Sequence, residues 1–185
     1  MLGDDVYYNH SEIVSKRGVG NNNTASKTSF RWHQDSGYIS TQHIPYISCW
    51  CAVTEMTATN GAMFMLPIER NPLDDENHKI IWSEKPRPGV TVEFPAYEHR
   101  KDANSSDLDG YFRSDPGVEI LCPAGSILVF SSLTLHCSSA NRSNSLRSAV
   151  NMQFSPVKNE NAFRYEAVPF VVNSQTTKEA KQWQQ

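Results

Sequence analysis

Tyr46-Ile47-Ser48-Cys49-Trp50-Cys51-Ala52-Val53-Thr54 alternates residue by residue. On an extended chain, successive side chains point to opposite sides. Tyr46, Ser48, Trp50 and Ala52 therefore share one face, and Ile47, Cys49, Cys51 and Val53 share the other. Both faces are largely apolar, so the stretch reads as a strand covered on both sides.

The neighbouring segments repeat this theme. Asn60-Gly61 is a turn signal, and residues 62–66 return as a second apolar strand. Upstream, residues 3–16 are rich in β-formers such as Val6, Tyr7, Tyr8, Ile13 and Val14. Residues 15–29 are rich in Gly, Asn, Ser and Thr and read as a loop. Residues 31–35 are extended, and 37–45 irregular. Downstream, residues 118–121 and 126–130 read as strands around the turn Pro123-Ala124-Gly125, and residues 133–136 continue the run. After a polar turn at 141–145, residues 147–154 alternate again. Arg147, Ala149, Asn151 and Gln153 share one face, and Val150, Met152 and Phe154 the other. A last strand is expected within 166–173, followed by a polar tail over 174–185. No long amphipathic helix and no internal repeat is apparent. Many short strands at fairly even spacing predict an all-β sandwich or barrel.

Residues 68–115 stand apart: they are charged and contain Pro72, Pro86, Pro88 and Pro95. A short strand is expected at 90–94. An excursion of this length is typically functional or disordered, and both an active-site lid and a solvated surface loop fit it.

With 185 residues, the chain suits one domain spanning 1–185, with its core in 5–156. Hydrophobic residues make up 38 %, enough for a packed core. A net charge of −3 gives no reason to expect nucleic acid or an anionic membrane as partner. No apolar run has the length of a membrane span, and the first residues lack a basic-then-apolar signal pattern. Cys49, Cys51, Cys122 and Cys137 show neither a CxxC pair nor framework spacing. Reduced thiols in a cytoplasmic protein are the expectation.

Arg31-Trp32-His33-Gln34-Asp35 places an imidazole and a carboxylate two residues apart on an extended segment, hence on one face. They can grip one metal ion from one side. Far downstream, Leu133-Thr134-Leu135-His136 offers a third ligand. Two histidines and one carboxylate form the facial triad that suits non-haem Fe(II). Arg147 follows eleven residues after His136, on the same face as small Ala149. An arginine pointing into a barrel needs an anion, because a buried unpaired charge is costly. Its guanidinium matches a carboxylate bidentately.

Together, Trp32-His33-Gln34-Asp35, Trp50, Thr59-Asn60-Gly61-Ala62-Met63 leading to Leu66-Pro67, Leu133-Thr134-Leu135-His136-Cys137-Ser138, Asn141 and Arg147 resemble the phytanoyl-CoA dioxygenase family. The resemblance runs from about residue 2 to 156, in the family's order and spacing. It implies a double-stranded β-helix, or jelly roll, with few helices. It also implies an Fe(II)- and 2-oxoglutarate-dependent dioxygenase that uses O2 to oxidise a C–H bond of a small molecule, releasing succinate and CO2. By the same resemblance His33, Asp35 and His136 would hold iron, and Arg147 would clamp the distal carboxylate of 2-oxoglutarate. Ser138 would add a hydroxyl to that clamp, and Lys16 stands where members often place a polar residue reaching the co-substrate. The presence of Asp35 favours hydroxylation or a related oxidation, since related halogenases lack this carboxylate.

Three features depart from the family pattern. Pro67-Ile68-Glu69-Arg70 stands where Pro-Gly-Ser-His is usual. Cys137 replaces the Gly common after the third ligand, putting an oxidisable thiol near the metal. The chain also begins at the first strand, as a fragment or a shortened member would. Members normally carry helices before it that cover the larger sheet. An uncovered apolar sheet predicts self-association, with a homodimer the expected state, or poor stability alone. The competing reading is a non-catalytic metal- or ligand-binding jelly roll that lost turnover through truncation. A cupin-like metal enzyme without a keto acid is a further reading, and Arg147 argues against it.

Overall fold

The computed structural model describes residues 5–19, 28–39, 43–67 and 117–158, together with the backbone of 168–171. The expectations for the 68–115 excursion, its strand at 90–94 and the 174–185 tail lie outside the described residues.

Alternation decides the inward and outward faces. Strand β3 (Ile47–Ala52) buries every second residue, Ser48, Trp50 and Ala52. Strand β8 (Arg147–Ser155) does the same through Arg147, Ala149, Asn151, Gln153 and Ser155. These two pair antiparallel, Ser48 opposite Gln153 and Trp50 opposite Asn151. Strand β1 (Val6–Lys16) lies antiparallel on the other side of β8, Lys16 opposite Arg147, with a bulge between Tyr8 and His10. Strands β6 (Ile127–Ser131) and β9 (Val168–Val171) complete a five-stranded sheet in the order β6-β3-β8-β1-β9.

The second sheet holds β2 (Phe30–His33), β4 (Met63–Met65), β5 (Val118–Ile120) and β7 (His136–Ser138), in the order β2-β7-β4-β5. Chain neighbours thus often part company: β5 joins β4, while β6 joins β3 in the opposite sheet. Every pairing among the described strands is antiparallel. The core lies between the sheets, where Trp50, Ala52, Phe130 and Ala149 of the larger sheet meet Met63 of the smaller, with Met56 beside them. Burying a Met or Phe side chain here contributes roughly 1.5–3 kcal/mol. This is the double-stranded β-helix, and a 3-10 turn at Asp35–Tyr38 leads out of β2.

Several boundaries differ from the sequence reading. The β2 strand ends at His33, and Asp35 opens the 3-10 turn rather than continuing the strand. Gln34 stays extended (φ −110°, ψ 138°), so the same-side relation of His33 and Asp35 survives. Leu133 and Thr134 belong to a turn, and β7 starts only at His136. The Asn60-Gly61 turn is present, with Gly61 at φ +97°. All four cysteines are free thiols. No helix among the described residues is long and apolar enough to cross a membrane.

Candidate active site

His33 closes β2 and His136 opens β7, and the two are register partners in the smaller sheet. Their rings lie 4.1 Å apart, centroid to centroid. Each ring is oriented by its own strand. The His33 Nδ1 lies 2.7 Å from the Arg31 carbonyl, and the His136 Nδ1 lies 2.9 Å from the Thr134 carbonyl. A carbonyl only accepts, so each Nδ1 donates to its carbonyl and each ring turns its Nε2 toward Asp35. This backbone anchoring is the arrangement that orients metal-binding histidines.

Asp35 comes from the turn between the sheets. The turn is tied to the segment before His136 by Ser36 N donating to the Ser132 carbonyl and Gln34 Nε2 donating to the Leu133 carbonyl. The Ser36 and Ser132 hydroxyls also meet, at 2.8 Å. Asp35 Oδ1 thereby lies 3.8 Å from His33 Nε2 and 3.5 Å from His136 Nε2. The three candidate ligand atoms fall within 4.8 Å of one another. The structure thus brings together all three residues singled out in the sequence. Two imidazole nitrogens and one carboxylate oxygen suit a divalent ion of the iron class.

A cavity of about 100 Å³ opens beside this cluster, lined by Trp50, Met63, Phe130, Ser138, Arg147 and Asn151 among others. Arg147 is only 1 % exposed. Its Nη2 donates to the Gly61 carbonyl at 2.5 Å, and its guanidinium lies 5.4 Å from the Trp50 ring. Its Nε and Nη1 have no hydrogen-bond partner. Burial lowers its pKa to about 10, so it stays charged at neutral pH. A buried cation with two unused donors in the wall of a cavity fits a carboxylate.

Ser138 also lines that cavity, whereas Lys16 does not. The Lys16 ammonium stands behind Ser138, donating to its hydroxyl and to the Ser139 carbonyl, both at 2.6 Å. Because Ser138 Oγ accepts from Lys16, its own proton is available to the cavity. Burial, then the neighbouring Arg147 charge, lowers the Lys16 pKa to about 7, against a small opposing pull from Cys137. Burial pushes the Cys137 thiol up to about 12. The thiol expected as an oxidation hazard is therefore held protonated, the less reactive form. Tyr46 likewise stays protonated: burial raises its pKa, followed by the charges of Asp35 and Glu12.

Sequence reasoning gave no role to the groups that hold these residues in place, Asn141 included. Asn141 is fully buried and gives its amide hydrogens to the Lys16 and Ser145 carbonyls. Ser48 and Gln153 donate to Asp35 Oδ2. A signal for this pair existed: both are polar residues on the inward faces of alternating strands.

The family profile described as Phytanoyl-CoA dioxygenase (PhyH) matches residues 1–149. This chain belongs to the phytanoyl-CoA dioxygenase family. It is 25 % identical over 134 residues to a probable phytanoyl-CoA dioxygenase of Caenorhabditis elegans, a match covering 72 % of this chain and 37 % of that protein. Among solved structures it is similar to the α-ketoglutarate-dependent epimerase SnoN of nogalamycin biosynthesis, with TM-score 0.54, 14 % identity, and coverage of 88 % of this chain and 55 % of that one. It is also similar to EctD from S. alaskensis, crystallised with 2-oxoglutarate and 5-hydroxyectoine. There the TM-score is 0.52 at 17 % identity, covering 86 % of this chain and 48 % of that one. These likenesses concern the fold alone. The chain spans little more than a third of the curated relative's length.

Proposed function

We propose that this chain is an Fe(II)- and 2-oxoglutarate-dependent dioxygenase that oxidises a C–H bond of a small molecule. One observation carries the reading. The Nε2 atoms of His33 and His136 and the Oδ1 of Asp35 converge in a cavity whose wall includes Arg147, a buried cation with two unpartnered donors. A keto acid with two carboxylates suits a metal site and a buried cation that line one cavity. The family membership and the folds of SnoN and EctD support it.

In this reading His33, Asp35 and His136 hold iron, which supplies oxygen activation while the keto acid supplies electrons by decarboxylation. The overall reaction is C–H substrate plus O2 plus 2-oxoglutarate giving hydroxylated substrate, succinate and CO2. Arg147 pairs with the distal carboxylate of the keto acid, and Ser138 donates its hydroxyl proton to the same carboxylate. Lys16 acts from behind Ser138, orienting that hydroxyl and adding positive potential. Trp50, Met63 and Phe130 wall the cavity and exclude water, which strengthens each of these charge interactions. Four free thiols fit a reducing, cytoplasmic setting.

The outward face of the larger sheet supports a homodimer. Ile13, Ile127 and Val129 are 76 %, 64 % and 50 % exposed, in line with Cys49, Cys51, Val150 and Met152 across β1, β8, β3 and β6. The deciding experiment is succinate formation from 2-oxoglutarate with Fe(II) in air, with and without candidate substrates. Iron- and keto-acid-dependent succinate is the expected result; none, from protein shown to bind both, would favour a binding protein without turnover.

A further inference from the structure

Asp35 engages its two carboxylate oxygens differently. Oδ1 faces His33 and His136, whereas Oδ2 turns toward the larger sheet. There Ser48 Oγ donates to it at 2.6 Å, and Gln153 Nε2 approaches at 3.5 Å. Ser48 and Gln153 are cross-strand partners on the inner face of β3 and β8, at 0 % and 7 % exposure. Asp35 itself belongs to a 3-10 turn, outside either sheet. The least regular of the three candidate ligands is thus pinned to the middle of the most regular element.

From this geometry we infer that Ser48, assisted by Gln153, is a positioning residue that keeps Asp35 a one-oxygen ligand. The inference rests on the proposed iron site. A carboxylate with one oxygen hydrogen-bonded to the sheet cannot turn about its Cβ–Cγ bond to present both oxygens to a metal. A two-oxygen grip would take a further coordination position. On an iron held by His33, Asp35 and His136, that position would be needed by the keto acid and dioxygen. Ser48 makes the stronger contact and Gln153 the weaker, longer one, and their effects should rank in that order.

The test uses Co(II), which survives air, titrated into metal-free protein and followed by calorimetry and by the visible cobalt spectrum. Ser48→Ala should weaken cobalt binding about 10- to 100-fold, the usual effect of removing a hydrogen bond to a ligand. It should also alter the cobalt band, reporting a changed carboxylate mode. Ser48→Thr, which keeps the hydroxyl, should retain most of the affinity, and Gln153→Leu should lose less than Ser48→Ala. The loss should vanish in an Asp35→Ala background, because Ser48 acts through Asp35. Unchanged affinity and spectrum in Ser48→Ala, or an equal loss in the Asp35→Ala background, would overturn the inference while leaving the metal site standing. If Ser48→Ala does not fold, Gln153→Leu with and without Asp35→Ala decides by the same criterion. A wild-type protein that takes up no cobalt would instead overturn the metal site, and this inference with it.

Discussion

Lys16 and Arg147 are register partners across β1 and β8, both 1 % exposed, and among the described residues neither meets a carboxylate. Side by side, the two charges repel each other and lose hydration, a cost that the hydrogen bonds to Ser138, Ser139 and Gly61 offset only in part and that shows in the lowered Lys16 pKa. The arrangement becomes favourable when an anion enters the cavity. It is the strongest physical reason to expect an acidic co-substrate rather than a neutral one.

Arg147→Ala should therefore remove 2-oxoglutarate binding and leave metal binding intact. Losing one partner of a buried ion pair costs roughly 3–5 kcal/mol, about a hundredfold to several thousandfold in affinity. Calorimetry on metal-loaded protein measures it. Unchanged keto-acid affinity in the variant would remove the main support for the oxygenase reading.

The lowered pKa of Lys16, about 7 against 10.5 for a free lysine, makes co-substrate binding pH-dependent. A bound carboxylate favours the charged amine, so binding at pH 8 should draw in a proton. Calorimetry in buffers of different ionisation heat should show that uptake, and Lys16→Met should abolish it. The same shift bears on stability. The folded state holds this proton less tightly than the unfolded one, so the contribution is complete above 10.5 and lost as pH falls through about 7. In the metal-free, ligand-free protein, Lys16→Met should flatten the rise of stability across that window.

Removing any one of His33, Asp35 or His136 as alanine should reduce divalent-metal affinity sharply, by equilibrium dialysis. Affinity in the unmodified protein should fall in acid, because imidazole must shed its proton to bind a metal. A metal-loaded crystal should show ligand distances of about 2.0–2.2 Å. Ligation by a different residue set would displace the site.

The apolar outer sheet makes a separate prediction. Sedimentation at several concentrations should show reversible self-association, and Ile13→Lys with Val129→Lys should weaken it without disturbing metal binding. A monomer at tens of micromolar that binds no apolar-surface dye would show that the chain covers this face itself.

Periodicity made the two interior faces readable in advance. Trp50 and Ser48 on one strand, and Arg147, Asn151 and Gln153 on another, point inward as a period of two requires. His33 and Asp35 were legible because they lie close in sequence, and His136 because a His-x-Asp pair calls for a third ligand. What stayed hidden depends on contacts between distant segments. The turn that takes Asp35 out of the strand is held by Ser132, 96 residues from Ser36. The parting of β5 and β6 into opposite sheets is decided by their partners, β4 and β3. That Lys16 stands behind Ser138 follows from a hydrogen bond spanning 122 residues. Local pattern carries no information about such pairings.

Gly61 shows how far a defect can sit from the chemistry it disturbs. Its carbonyl seats Arg147, and a Cβ built on it would lie 2.8 Å from Lys16 Cδ and 3.0 Å from the Ser139 carbonyl oxygen. Its φ of +97° already disfavours any side chain. A substitution there would push on both cations at once, though residue 61 lies outside the cavity wall. In an assay it would be scored as poor affinity for the keto acid, and a survey of ligand-contacting positions would overlook its origin. For this chain, the tolerance of a tight turn to mutation is a measure of co-substrate recognition.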